Sequence, residues 1–216
     1  MSMSRRARRA VLIGAAAAAA AGAAVAVALW YDHEYYPTHH FSVVEPGVLL
    51  RSGQPDRHAL AEAIQNYHIR TVVNLRGPKP DEPWYGVEAN YCRRKGLMLV
   101  DIPMGVTGSD VDHLRECLAI VTDANCQPVL VHCEAGTART SFAVAAYRIA
   151  VNKWDYDRAM AEAKEYGFRP EYPKHAEYVE VLRALAGGAD WRGLRSEGNL
   201  PLPPGPDAAS CSARPQ

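Results

Sequence analysis

The stretch Val129-Leu130-Val131-His132-Cys133-Glu134-Ala135-Gly136-Thr137-Ala138-Arg139-Thr140 runs apolar residues of strand type straight into a cysteine. A short turn containing glycine follows, and an arginine then opens a helical pattern over 140–151 that is apolar nearly all round and so predicts a buried helix. A loop of this length between strand and helix curls so that the backbone N–H groups of Glu134, Ala135, Gly136, Thr137, Ala138 and Arg139 converge on one centre. The helix N-terminus adds partial positive charge there. That cradle fits a phosphate dianion, and its field favours the thiolate form of Cys133. Cys133 becomes a candidate nucleophile beneath the phosphorus. Arg139 offers a planar fork to two phosphate oxygens and answers the charge of the transition state. Gly136 permits the tight backbone curve.

Around this loop, short apolar runs alternate with helical patterns. Strands are expected at 48–50, 71–75, 97–102 and 129–132, and helices at 56–67 and 83–95. Ser109 can cap a further helix in which Val111, Leu114, Leu118 and Val121 recur on one face. The fold class is therefore α/β, a central, mostly parallel sheet of about four to five strands flanked by helices, with the phosphate loop between a strand and a helix. The expected organisation is an N-terminal signal or anchor segment over 1–31, a linker over 32–42, a catalytic domain over 43–186 and a disordered tail over 187–216. His33, His39 and His40 fall in that linker and read as solvated residues.

Charge and cysteine usage narrow the class. The 216 residues carry 24 Lys and Arg against 24 Asp and Glu, but Arg5, Arg6, Arg8 and Arg9 stand together, so the remainder is mildly acidic. No basic stripe of the kind that neutralises a nucleic-acid backbone is present, and nucleic acid is excluded as a partner. The five cysteines are odd in number and lack metal-type spacing, so neither a disulfide framework nor a metal site is expected. No cofactor is expected either. The arginine cluster precedes an uncharged, alanine-rich run over 10–31, long enough to span a bilayer. This layout is that of an export signal, twin-arginine in style, or of an uncleaved anchor. Either way the domain is expected beyond the membrane, held to it through the N-terminal segment if the segment stays uncleaved.

The loop resembles the H-C-x-x-G-x-x-R-[ST] signature of protein tyrosine and dual-specificity phosphatases at every fixed position. The likeness extends to Phe41-Ser42-Val43-Val44-Glu45-Pro46-Gly47, Arg51-Ser52-Gly53-Gln54-Pro55, Thr71-Val72-Val73-Asn74-Leu75-Arg76 and Asp101-Ile102-Pro103-Met104. With residues 159–168 it covers about 41–186 and looks like the atypical dual-specificity branch. The resemblance implies hydrolysis of phosphate monoesters through a phosphocysteine, on a phosphorylated protein or a small phosphate ester. It further implies that His132 holds the loop and tunes the thiol, and that the Thr140 hydroxyl hydrogen-bonds the sulfur. Arg76, at a strand end, lies either at the pocket rim or in solvent.

The family's proton donor is an aspartate 20 to 30 residues before the cysteine. Asp110 fits by position, while Asp101 reads as part of a strand and Asp112 as a charge in the first helical turn. Two other functions compete: a rhodanese-like sulfurtransferase, which does not need Arg139 and Thr140, and a weakly catalytic phosphate-binding module lacking the acid. Glu134, Ala135, Thr137 and Ala138 contain no lysine, which disfavours highly charged inositol lipids as substrates.

Overall fold

The computed structural model describes residues 4–35, 40–105 and 111–194. The chain divides into two compact units, residues 1–36 and 37–216. The first holds helix α1 (Arg5–Tyr35), which runs four residues beyond the expected end of the N-terminal segment. Alanine contributes little apolar area per residue, and among the described residues no helix is long and apolar enough to cross a membrane.

The second unit is the α/β domain. Strands β1 (Ser42–Glu45), β2 (Leu49–Ser52), β3 (Thr71–Asn74), β4 (Met98–Asp101) and β5 (Val129–His132) form one sheet in the order β1-β2-β5-β3-β4. Only the β1–β2 pair is antiparallel. β1 was missed from sequence: it is a four-residue edge strand, and its Ser42, Val43 and Glu45 are only half-buried. β2 extends through Arg51 and Ser52, two polar residues that hydropathy assigns to a loop and that are nevertheless fully buried.

Period-two alternation decides which face each strand residue serves. Leu49, Val73, Val129 and Val131 pack on one side with α4 (Val111–Thr122), α5 (Ala138–Ala150), α6 (Tyr156–Glu165) and α7 (Ala176–Ala186). Leu50, Val72 and Leu130 pack on the other with α2 (Arg57–Tyr67) and α3 (Pro83–Lys95). Three helix starts are legible in chemistry: Asp56 and Asp155 accept from the Ala59 and Arg158 amides at the heads of α2 and α6, and Pro83 opens α3. The packed unit reaches beyond the expected boundary at residue 186. A helical turn at Trp191–Gly193 buries Trp191 against the main core, so the tail expected to be disordered from 187 is ordered through 194.

Parallel register aligns the strand ends. Ser52, His132 and Asn74 lie side by side, with Asp101 next to Asn74. The loop after β5 thus rises from the centre of the sheet at its carboxyl edge, where ligand sites of such sheets form.

Candidate active site

Cys133 follows β5 directly and is almost entirely buried, and α5 begins at Ala138. The loop between them is shaped by close approach to the chain after β2. Gly136 has φ +73, and a Cβ there would lie 2.8 Å from the Gly53 amide and 2.9 Å from the Ser52 carbonyl. Glycine is required on both counts. Thr137, the residue before α5, makes no side-chain cap, so the first amides of the helix are not capped by it and can answer an anion.

Three successive loop carbonyls are taken from outside. The Gln54 amide donates to Glu134 O at 2.8 Å, His40 Nδ1 lies 2.8 Å from Ala135 O, and Arg51 Nη2 donates to Gly136 O at 2.7 Å. Carbonyls bound outward leave the peptide N–H groups facing inward. Arg51 also donates to Ser141 Oγ at 2.8 Å and lies 3.7 Å above the Tyr166 ring. Burial pushes its guanidinium down to about 10, still charged at neutral pH. His40 was expected to be a solvated linker residue; instead it is half-buried against the loop, because β1 begins two residues later and carries the chain along the domain. Neither residue was singled out individually from sequence. The usable signal was a charged residue inside the strand Leu49-Leu50-Arg51-Ser52.

The candidate residues fall as follows. Glu134 is exposed, with Oε2 4.0 Å from Arg139 Nη2, and Ala135, Thr137 and Ala138 are half-buried around the buried Gly136. Arg139 sits in the first turn of α5 and reaches Leu75 O at 3.4 Å; among the described residues its fork makes no other hydrogen bond. Thr140 is fully buried. Its Oγ1 has no hydrogen-bond partner among the described residues, so the bond to the sulfur implied by the family resemblance is not made here. His132 Nδ1 lies 3.2 Å from Cys133 O, and Nε2 lies 2.8 Å from Oε1 of Glu88, a buried residue of α3 that the sequence did not flag.

Arg76 is a rim residue rather than a solvated one. Nη1 donates to Gln54 Oε1 at 3.0 Å, the guanidinium stacks 3.6 Å over Trp84, and partial burial lowers its pKa against the opposing charge of Glu134. Of the three aspartates, Asp110 lies outside the described residues. Asp101 accepts from Asn74 Nδ2 at 2.7 Å and from the Tyr85 hydroxyl at 2.5 Å, which commits both oxygens to bracing β3 against α3. Asp112 pairs with Arg115 at 2.9 Å, one turn along α4. Tyr178 donates to the Gly105 carbonyl and so anchors the start of the segment that leads to Asp110.

Among the described residues no cluster of His, Cys, Asp and Glu could hold a metal ion. Cys92, Cys117 and Cys133 are free thiols. Cys126 is disulfide-bonded.

Comparison with known proteins agrees with this arrangement. The family model described as DSP-PTPase phosphatase fused to NAD+ kinase matches residues 39–180. The dual specificity protein phosphatase TpbA of Pseudomonas aeruginosa (strain UCBPP-PA14) is 30% identical over 148 residues, covering 68% of this chain and 62% of that protein. Inositol diphosphatase DSP1 of Oryza sativa subsp. japonica is 32% identical over 125 residues, covering 55% and 52% respectively. The chain therefore spans less than two thirds of the length of these curated relatives. Among solved structures, the core catalytic domain of the PP-IP phosphatase SIW14 from S. cerevisiae superposes with a TM-score of 0.58 at 21% identity, over 70% of this chain and 90% of that one, a likeness of fold. Through residues 39–180 the chain belongs to the DSP-PTPase phosphatase family.

Proposed function

We propose that this protein hydrolyses phosphate monoesters through a phosphocysteine on Cys133. The observation that carries the reading is the loop itself: a buried cysteine at the end of the central strand, Gly136 held against Ser52 and Gly53, outward-bound carbonyls and an uncapped helix start behind Arg139. In the first step the Cys133 thiolate attacks phosphorus, the P–O bond to the leaving group breaks, and the departing oxygen takes a proton. Arg139 and the loop amides hold the phosphoryl oxygens throughout. In the second step water attacks the phosphocysteine, releasing inorganic phosphate and restoring the thiol. Asp110 is the proton donor that this scheme assigns to the first step and the base it assigns to the second.

For substrate we favour phosphorylated protein side chains or small phosphate esters. Glu134 at the rim repels polyanions, and the cradle carries no lysine. The named activities of the relatives, dual specificity protein phosphatase and inositol diphosphatase, frame the choice. The test is phosphate release by the full chain, without added metal, from an aryl phosphate, phosphotyrosyl and phosphoseryl peptides and an inositol diphosphate. Release from the first two favours this reading; release from the inositol diphosphate alone transfers the protein to the other class.

Export through the N-terminal segment belongs to the same proposal. Arg5, Arg6, Arg8 and Arg9 ahead of an uncharged alanine-rich run support it, and a disulfide at Cys126 suits an oxidising compartment. A reporter fused after Gln216 should be active outside the cytoplasm, and cytosolic recovery of the full chain would contradict this.

A further inference from the structure

The residues that hold the phosphoryl group in the proposed reaction all follow β5, yet the loop that carries them is fixed from the opposite end of the chain. His40, Arg51 and Gln54 lie within fifteen residues of one another and take the carbonyls of Ala135, Gly136 and Glu134 in turn. We infer that Arg51 and His40 are positioning residues for the phosphate loop: they bind its carbonyls outward, so that the peptide N–H groups stay aimed at the phosphate before it arrives. This rests on the phosphatase reading above.

Arg51 is built for that task. One nitrogen, Nη2, bridges the Gly136 carbonyl and Ser141 Oγ, joining the crest of the loop to the first turns of α5. The guanidinium lies over the ring of Tyr166, just past the end of α6, and the next residue, Gly167, comes so close to Thr137 that an added Cβ would lie 3.1 Å from Thr137 Cγ2. The loop is thus held at Gly136 and Thr137 by groups outside the 133–140 stretch. A buried cation is costly to maintain, and Nε and Nη1 of Arg51 have no hydrogen-bond partner among the described residues. A fully buried arginine with two uncommitted donors is a poor stabilising device. Its positive charge is retained against that burial by Tyr166, Glu162 and Cys133, which act to raise its pKa. His40 is held in the left-handed backbone region, φ 62, which places its ring against Ala135 O and edge-on to Tyr166, 6.1 Å between centroids. The two donors therefore converge on one aromatic ring and on adjacent carbonyls.

Substitutions at Arg51 and His40 separate positioning from mere stability. Arg51→Lys keeps the charge but cannot bridge two acceptors while lying over a ring. Arg51→Met keeps bulk without charge, and His40→Leu removes one donor from a half-buried site. Three quantities are measured on the full chain: the dissociation constant for orthovanadate, kcat and KM for an aryl phosphate, and hydrogen exchange of the peptide covering 133–140. Vanadate binding should weaken about ten-fold in His40→Leu, as expected for one lost hydrogen bond, and at least as much in Arg51→Met, which loses two, with Arg51→Lys between Arg51→Met and the wild type. Exchange should rise in 133–140 while the remaining sheet is unchanged. If Arg51 variants fail to fold, His40→Leu decides alone. Wild-type vanadate affinity together with wild-type exchange in folded variants overturns the inference. If the wild-type protein binds no vanadate, the phosphatase reading has failed instead, and the exchange data still decide whether these donors order the loop.

Discussion

Nε2 of His132 lies 2.8 Å from Oε1 of Glu88, and both side chains are out of solvent. His132 Nδ1 faces the Cys133 carbonyl, which can only accept, so Nδ1 carries the proton in that contact. Glu88 on α3 thereby fixes the ring that precedes Cys133, across the face of the sheet opposite α5.

Removing one partner of such a pair leaves the other buried and uncompensated. Glu88→Ala should cost about 3 to 5 kcal/mol of stability. In a domain of this size that lowers Tm by roughly 6 to 20 °C, read by calorimetry. An unchanged Tm would mean that the pair does not form.

The buried thiols should be chemically silent. Burial pushes Cys92 and Cys117 up to about 12, with Glu88 and Asp101 adding to the shift at Cys92 and Glu116 at Cys117. Carboxymethylation of the native protein near pH 7, followed by peptide mapping, should place label on Cys133 and none on Cys92 or Cys117. Label on either of the latter at a rate matching Cys133 would contradict the burial account.

Acid should weaken the domain partly through Glu45. Its Oε2 accepts from Asn152 Nδ2 at 2.9 Å and from the Tyr147 hydroxyl at 2.8 Å, and these bonds, with Arg148 nearby, hold the carboxyl below its ordinary value of 4.5. A carboxyl whose folded pKa is depressed stabilises the fold above its unfolded value and loses that contribution as pH falls through the folded one. Glu45→Gln should therefore reduce stability by about 1 kcal/mol at pH 7 and flatten the decline below about pH 4.5. Denaturant titrations at pH 7 and pH 3.5 measure both; equal slopes in the two proteins would remove Glu45 from the account.

The aspartates separate by leaving-group dependence. If Asp110 protonates the leaving group, Asp110→Asn should slow alkyl phosphate hydrolysis about a hundred to ten thousand fold and spare an aryl phosphate whose phenolate leaves readily. Asp101→Asn should lower stability instead, because Asp101 holds Asn74 and Tyr85. A selective loss in the Asp101 variant would transfer the role.

The parts of this molecule written in local pattern were readable from sequence. Val129-Leu130-Val131 predicts a buried strand and Val111, Leu114, Leu118 and Val121 a helix face, because hydrophobic period alone fixes both. Residues whose role depends on a distant partner were not. Arg51, Glu88 and His40 gain meaning only from Gly136, His132 and Ala135, which lie 85, 44 and 95 positions away. Arg51 also broke the polarity rule used to end the β2 strand. Trp191 was lost to the tail because a lone aromatic among glycines carries no period.

The central claim is that Cys133 is the nucleophile, and Cys133→Ser tests it most directly. The substitution keeps size while replacing a polarizable thiolate with a poorly ionised hydroxyl. Hydrolysis of an aryl phosphate by the Cys133→Ser protein should fall to background while inorganic phosphate still binds the cradle, and turnover retained in that variant would contradict the account.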